Sequence, residues 1–336
     1  VTNVPYLSRI KQSEVIKNYC DKYYKDGKND LANVFLYRCL EFTSKKNGYV
    51  QLVVPQSWLF LTKYKKQREK LIKSTQLIFL TKLGPGAFET ITGEVVNVVL
   101  FTAQNKSYDI DNKFFGLDVS IEKNTNDKSN SLMFKKISKI SQNAQKKNPD
   151  KAITLKELNI SNCIGDIADS YHGITTTDLP RFFRCFWEIQ YKNEDWIFQQ
   201  GTVKSTCHFG GKEGILLWEK GEGGINQLRK DGATVVITGL DAWNRKGLVV
   251  NRMNLGVTLY DGDSFDTGVA VLVPRDQNIL PALWSFCSSS EFAKMIKTFN
   301  HSMVVEYVYL PKVPLNIDYW KKEAEKEYPN SLPKPH

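Results

Sequence analysis

Apolar residues at helical spacing open the chain. Val15, Ile16, Tyr19 and Tyr23 fall on one side of a helix over residues 12 to about 26. Asp30 is placed to cap a second helix whose Leu31, Val34, Phe35, Cys39 and Phe42 share a side, with Asn47-Gly48 as its stop. The run 49–54 is short and apolar enough for a buried strand; the turn Pro55-Gln56-Ser57 and a basic helix from about Thr62 to Lys73 come after it. Residues 77–83 and 94–102 predict two more strands, joined by Gly84-Pro85-Gly86-Ala87-Phe88. With no helix between them, these strands pair antiparallel.

After that the texture changes twice. From Gln104 to about Lys151 the chain is rich in Lys, Asn, Ser and Asp, with a short helix predicted over 132–140. Beyond it, β-like stretches at 233–238, 247–251, 256–260 and 269–273 are separated by Gly, Asp and Asn turns. A helical stretch over 279–299 interrupts them, broken or capped at Ser288-Ser289-Ser290. The fold class expected is α/β: residues 1–104 form the second half of an open, Rossmann-like sheet, 105–150 a connector, and 151–336 a mixed, mostly β domain with helices. Ligands of such sheets gather at the carboxyl ends of the strands.

A length of 336 residues allows two cores, and 41% apolar with 24% charged residues argues against disorder or a fibre. The formal charge of +10 points to a polyanion, most simply nucleic acid, although a basic surface also serves plain solubility. Cys20, Cys39, Cys163, Cys185, Cys207 and Cys287 form no Cys-x-x-Cys pair, so no metal site is expected, and reduced thiols in a cytoplasm fit best. No run of about eighteen apolar residues suggests a membrane span.

The chemistry begins at Asn3-Val4-Pro5-Tyr6. Alone, Asn-x-Pro-Tyr is a short pattern with a good structural reading as a strand-end turn. Downstream segments give it meaning: those at 30–35, 39–41 and 47–49, then Val54-Pro55-Gln56-Ser57-Trp58-Leu59-Phe60, then Leu83-Gly84-Pro85-Gly86-Ala87-Phe88-Glu89 and Gly93-Glu94-Val95-Val96-Asn97. In order and spacing these resemble the adenine-specific (N6) DNA methyltransferases of bacterial restriction and phage defence, of the BREX PglX and type IIG restriction-modification kind. His172-Gly173-Ile174-Thr175-Thr176-Thr177-Asp178, Trp218-Glu219-Lys220-Gly221, Asp241-Ala242-Trp243 and the run 283–292 look, more loosely, like the target-recognition region of those enzymes.

The resemblance implies a class I methyltransferase sheet for 1–104 and a DNA target-recognition domain for 151–336. It implies S-adenosylmethionine as methyl donor, double-stranded DNA as partner, and other restriction or phage-defence subunits as further partners. The exocyclic amine of adenine is a poor nucleophile because its lone pair is delocalised into the ring, and two fixed acceptors for its hydrogens would draw the nitrogen toward tetrahedral geometry. Asn3's side-chain oxygen and the Val4 carbonyl would be those acceptors, Pro5 would stiffen the turn, and Tyr6 would stack on the flipped base. Phe88 is expected against the base's other face; a plain anchor for its loop is an equal reading.

Two departures matter. Val4 stands where the family has proline, which keeps the carbonyl but loosens the turn and adds an N–H. The glycine-rich turn that meets the cofactor is expected upstream of Val1: only Val1 and Thr2 precede the tetrad, whereas such a loop normally comes after a strand of roughly five residues. The amino end is therefore expected to be cut, or the gene broken, and the chain alone inactive, with a non-catalytic DNA-binding module as the alternative. For DNA contact the candidates are Lys204, Lys212, Arg229, Lys230, Trp243, Arg245, Lys246 and Arg252, in or near turns. The basic helix with Lys63, Lys65, Lys66, Arg68, Lys70 and Lys73 is expected to be a solvated face. Trp187, Trp218 and Trp284 are expected in the core, and His172, His208 and His301 as loop histidines.

Overall fold

Thr2–Asn3 forms a short strand, β1, laid parallel on β2 (Tyr49–Pro55) with Thr2 opposite Leu52 and Asn3 opposite Val53. Between them lie two capped helices. Ser13 accepts the Ile16 N–H at 3.5 Å to start α1 (Glu14–Tyr23), and Asp30 accepts the Ala32 N–H at 3.0 Å to start α2 (Leu31–Glu41). These belong to the first of two compact units, Val1–Asn159 and Ile160–His336, in a computed structural model that describes residues 1–43, 48–87, 96–158, 160, 162–190, 193–300 and 302–334.

The rest of the first unit is α3 (Lys65–Ser74), β3 (Gln76–Gly84), β4 (Val98–Gln104), β5 (Lys113–Asp118), α4 (Thr125–Phe134) and β6 (Ser138–Ser141). Its sheet has the order β1-β2-β4-β3-β5-β6. Because β4 pairs antiparallel with both β2 and β3, and β1 and β5 are parallel to their neighbours, the strands β1, β2, β3 and β5 all run one way with β4 reversed among them. Their carboxyl ends therefore share one edge of the layer. Val50, Leu52 and Val54 alternate into the core, and Trp58 meets Phe101 edge-on at 5.2 Å.

Several expectations shift here. The second helix stops at Glu41, short of Asn47, which lies outside the described residues. It buries Leu36, Tyr37 and Leu40, and turns Phe35 outward. Along α1, Val15, Tyr19 and Tyr23 are exposed and Cys20 is the buried residue. Residues 105–150, expected as a connector, carry two strands of the main sheet: β5 pairs parallel with β3, and β6 antiparallel with β5. The predicted helix over 132–140 is displaced, since α4 ends at Phe134 and β6 begins at Ser138. Strand partners that lie far off in sequence override weak local preference.

The second unit holds β7 (Asn162–Cys163), β8 (Ala168–His172), α5 (Leu179–Phe182), β9 (Phe183–Cys185), β10 (Trp196–Gln200), β11 (Gly214–Leu217), α6 (Gly224–Lys230), β12 (Gly247–Asn251), β13 (Val257–Tyr260), β14 (Ser264–Phe265), β15 (Val269–Pro274), α7 (Leu280–Ser288), α8 (Ser290–Phe299), β16 (Pro314–Leu315) and α9 (Ile317–Glu327). They build sheets of order β14-β10-β11-β9, β13-β12-β15-β8 and β16-β7, giving a mixed α/β chain with several sheets. Strands β12 and β15 are buried along their whole length, as their unbroken apolar runs require. Ser289 caps α8 at the expected break, whereas 233–238 forms only a bridge between Val236 and Thr175.

Candidate active site

The loop Asn3-Val4-Pro5-Tyr6 leaves the carboxyl end of β1 at the shared strand edge. Asn3 is exposed, and among the described residues its side chain makes no hydrogen bond. Val4 is only 4% exposed, so its side chain is driven into the core and pins the loop where a proline would have stiffened it. Pro5 is exposed and Tyr6 half-buried, with the Tyr6 hydroxyl sealed from solvent and lacking a hydrogen-bond partner among the described residues. Burial, and secondarily the Asp30 carboxylate, push this phenol up to about 12. A neutral ring whose polar end is buried can offer a face to a planar ligand.

Directly after β2, Gln56 is 2% exposed, and its Oε1 has no partner among the described residues. The sequence placed this residue in a turn; it carried no sign of a buried, unsatisfied amide. At the end of β3, Gly84 has φ +68°, and a Cβ there would lie 2.7 Å from the Ser120 Cα, so glycine is needed for close strand packing. Lys128 seals the same edge by donating to the carbonyls of Leu83, Val119 and Glu122. Phe88 lies outside the described residues.

The glycine-rich segments do not fit a nucleoside cofactor. Gly84 is packed on Ser120, and in the second unit the Glu219 carboxylate fills the space beside Gly223 and accepts the Gly224 N–H at 2.7 Å. The start of α6 is thus closed by the chain's own carboxylate.

Arg68 departs from the solvated face expected of its helix. It is fully buried and donates to the carbonyls of Trp58, Phe60, Leu61 and Asp150, tying the segment after β2 to the loop after β6. Lys70 lies over the Tyr37 ring and Lys73 pairs with Glu69 at 2.8 Å, as surface residues do.

In the second unit the eight predicted contact residues separate into groups. Lys204, Lys230 and Lys246 are exposed, and exposed Arg229 reaches the Asn226 side chain at 2.8 Å. Arg245 is half-buried, donating to Tyr171 Oη at 3.2 Å and the Asp241 carbonyl at 3.3 Å. Lys212 is committed to Asp261 at 2.7 Å and Asp263 at 3.0 Å. Arg252 is buried and spends its guanidinium on Glu306 and the carbonyls of Thr267 and Val305, so it locks loops together instead of facing solvent. Trp243 packs against two core clusters and meets Trp218 at 5.2 Å.

Trp284 is buried as expected, stacked on His208 at 4.7 Å, and Trp218 is half-buried. Trp187, expected in the core, is 62% exposed beside Phe186. His301 lies outside the described residues, and His172 approaches Thr238 Oγ1 at 3.4 Å. The six cysteines are free thiols, and among the described residues no helix is long and apolar enough to cross a membrane.

The profile of the Eco57I restriction-modification methylase family matches residues 1–88. The adenine-specific methyltransferase PglX of Lacticaseibacillus casei (strain Zhang) is 37% identical over 106 residues, 32% of this chain and 9% of that protein. The adenine-specific methyltransferase BrxX of Escherichia coli O9:H4 (strain HS) is 32% identical over 105 residues, 31% of this chain and again 9% of the relative. The match thus spans about a tenth of the length of these curated relatives. In fold, the chain is similar over 98% of its length to half of the type IIL restriction-modification enzyme MmeI, solved in complex with DNA, with a TM-score of 0.59 at 13% identity. Residues 1–88, with the Asn-x-Pro-Tyr loop at a strand's carboxyl end, are thus similar in sequence to the Eco57I restriction-modification methylase family.

Proposed function

We propose that this chain supplies the adenine-holding wall and a DNA-reading region of a site-specific DNA adenine-N6 methyltransferase that uses S-adenosylmethionine, in restriction-modification or phage defence. The first unit then corresponds to the second half of a Rossmann-like methyltransferase sheet, and the second unit to the target-recognition domain. The observation that carries the reading is the exposed, unpartnered Asn3 at the carboxyl edge of four co-directional strands, with Tyr6 anchored three residues on.

Asn3's side-chain oxygen and the Val4 carbonyl accept the two amine hydrogens of a flipped adenine, and the Tyr6 ring stacks on the base. Stacking of this kind returns about 1–3 kcal/mol per base, enough to offset much of the unstacking cost. The described turns at Gly84 and Gly223 do not fit the methyl donor, and this chain by itself is expected not to methylate DNA.

The test uses 2-aminopurine placed opposite an abasic site, where the base is already prone to leave the stack. Binding of the chain quenches its fluorescence through Tyr6, and Tyr6→Ala abolishes the quench while leaving duplex affinity within about threefold. Equal quenching by wild type and Tyr6→Ala contradicts the stacking role.

A further inference from the structure

The positive charge is unevenly divided. Val1–Asn159 carries 27 Lys and Arg against 15 Asp and Glu, whereas Ile160–His336 carries 19 against 21. The excess therefore lies in the unit that holds the Asn3 loop, and one exposed stretch of it is at the far edge of that unit's sheet. Residues 132–139, Leu-Met-Phe-Lys-Lys-Ile-Ser-Lys, are exposed without exception and contain no acid. Phe134 is 83% and Met133 65% exposed. On the adjoining strand Lys113 and Phe115 also face outward, and Phe115 stands opposite Lys139 in register.

Lys113, Lys136 and Lys139 form no ion pair among the described residues, while Lys135 lies 3.8 Å from Glu122. Asp109 and Asp111 share one hollow with Lys113, Phe115 and Lys139, while Lys136 lies outside it. Lysines without an ion pair, set among Phe, Met and Ile at the end of α4 and on the edge strand β6, match the chemistry of a DNA groove: ammonium groups on phosphates, apolar side chains against sugars and base edges.

We infer that this edge, around Lys113, Phe115, Phe134, Lys136 and Lys139, is a second DNA-binding surface that grips the backbone of the duplex flanking the target base, independent of sequence. The inference rests on the adenine-holding reading for its geometry. The sheet order places β6 at the opposite edge from β1, five strand spacings away, or about 24 Å at ~4.8 Å each. At ~3.4 Å per base pair that is about seven base pairs of flanking duplex.

The experiment titrates the full chain against a mixed-sequence duplex carrying 2-aminopurine opposite an abasic site, reading anisotropy across a salt series and base fluorescence in the same samples. Lys113→Gln/Lys136→Gln/Lys139→Gln lowers the slope of log affinity against log salt by about 2 to 3, because each lost phosphate contact releases about one counterion fewer. Shortening the flank to fewer than about seven base pairs weakens wild type and leaves the triple variant unaffected. An unchanged slope and flank dependence, with wild type binding and quenching normally, overturns this surface and spares the adenine reading. A reduced slope without any Tyr6-dependent quench sustains the surface as a DNA site and overturns that reading. If Phe134→Ser converts a dimer to a monomer and the lysine variants leave the slope intact, the occupant is a second copy of the chain, and the inference fails.

Discussion

Tyr6 holds its hydroxyl in a buried position with no acceptor or donor among the described residues, beside the cap carboxylate of α2. Its folded-state value of about 12 lies above the ordinary 10, so as pH rises the unfolded chain loses this proton first. The contribution to stability is complete below pH 10 and is lost between pH 10 and about 12. An ultraviolet titration of wild type against Tyr6→Phe isolates this late phenol. Asp30→Asn, which keeps the cap, shifts it downward but not to the ordinary value, since burial is the larger cause. Tyr6→Phe itself removes an unsatisfied group and is expected to leave stability unchanged or raise it by up to roughly 1 kcal/mol in urea unfolding. Arg68→Met strands the carbonyls of Trp58, Phe60 and Leu61 and costs about 3 kcal/mol, and Arg68→Lys does not restore the planar fork. Arg68 and Arg252 were hidden from sequence reading for one reason: residue type tells that a side chain is cationic, but only the fold tells whether it ends in water or among carbonyls.

Elements with strong local signals were legible. The cap at Asp30, the break at Ser289 and the antiparallel pairing of β3 with β4 arise from residues close together in the chain. Ser289→Ala removes the cap between α7 and α8 and is expected to cost about 1 kcal/mol, read as a lower urea midpoint with an unchanged slope. Elements that depend on distant partners were not legible. The strands β5 and β6 sit in Lys- and Asn-rich sequence and exist because β3 offers a parallel edge, which no local window reveals. Gly84→Ala tests how tightly β3 meets the segment after β5. A left-handed φ of +68° and a 2.7 Å approach to the Ser120 backbone predict a loss of roughly 2 kcal/mol or more, whereas Gly232→Ala, with φ +90° but open space, loses only the backbone part, about 1 kcal/mol.

At the scale of the molecule, the net charge of +10 pointed toward a polyanion but not to its place. The contact residues predicted in the second unit divide into exposed cations and structural locks, and that unit has slightly more acids than bases. On the proposed reading, backbone affinity comes mainly from the first unit, and the second unit contributes discrimination through Arg229, Lys230 and Lys246 and their neighbours. Arg229→Gln/Lys230→Gln is then expected to lower the salt slope less than the triple change at β5 and β6, measured by anisotropy at matched ionic strength.

The central claim is that the loop after β1 grips the adenine amine. The most direct measurement compares the affinity of the chain for a duplex bearing adenine opposite an abasic site with the same duplex bearing unsubstituted purine, which stacks alike but lacks the amine. Tighter binding of adenine, by about tenfold for one hydrogen-bonded pair of acceptors, with the preference reduced in Asn3→Ala to what the Val4 carbonyl alone supplies, is the predicted result. Equal affinity for the two bases in the wild-type chain, or a preference undiminished in Asn3→Ala, contradicts it.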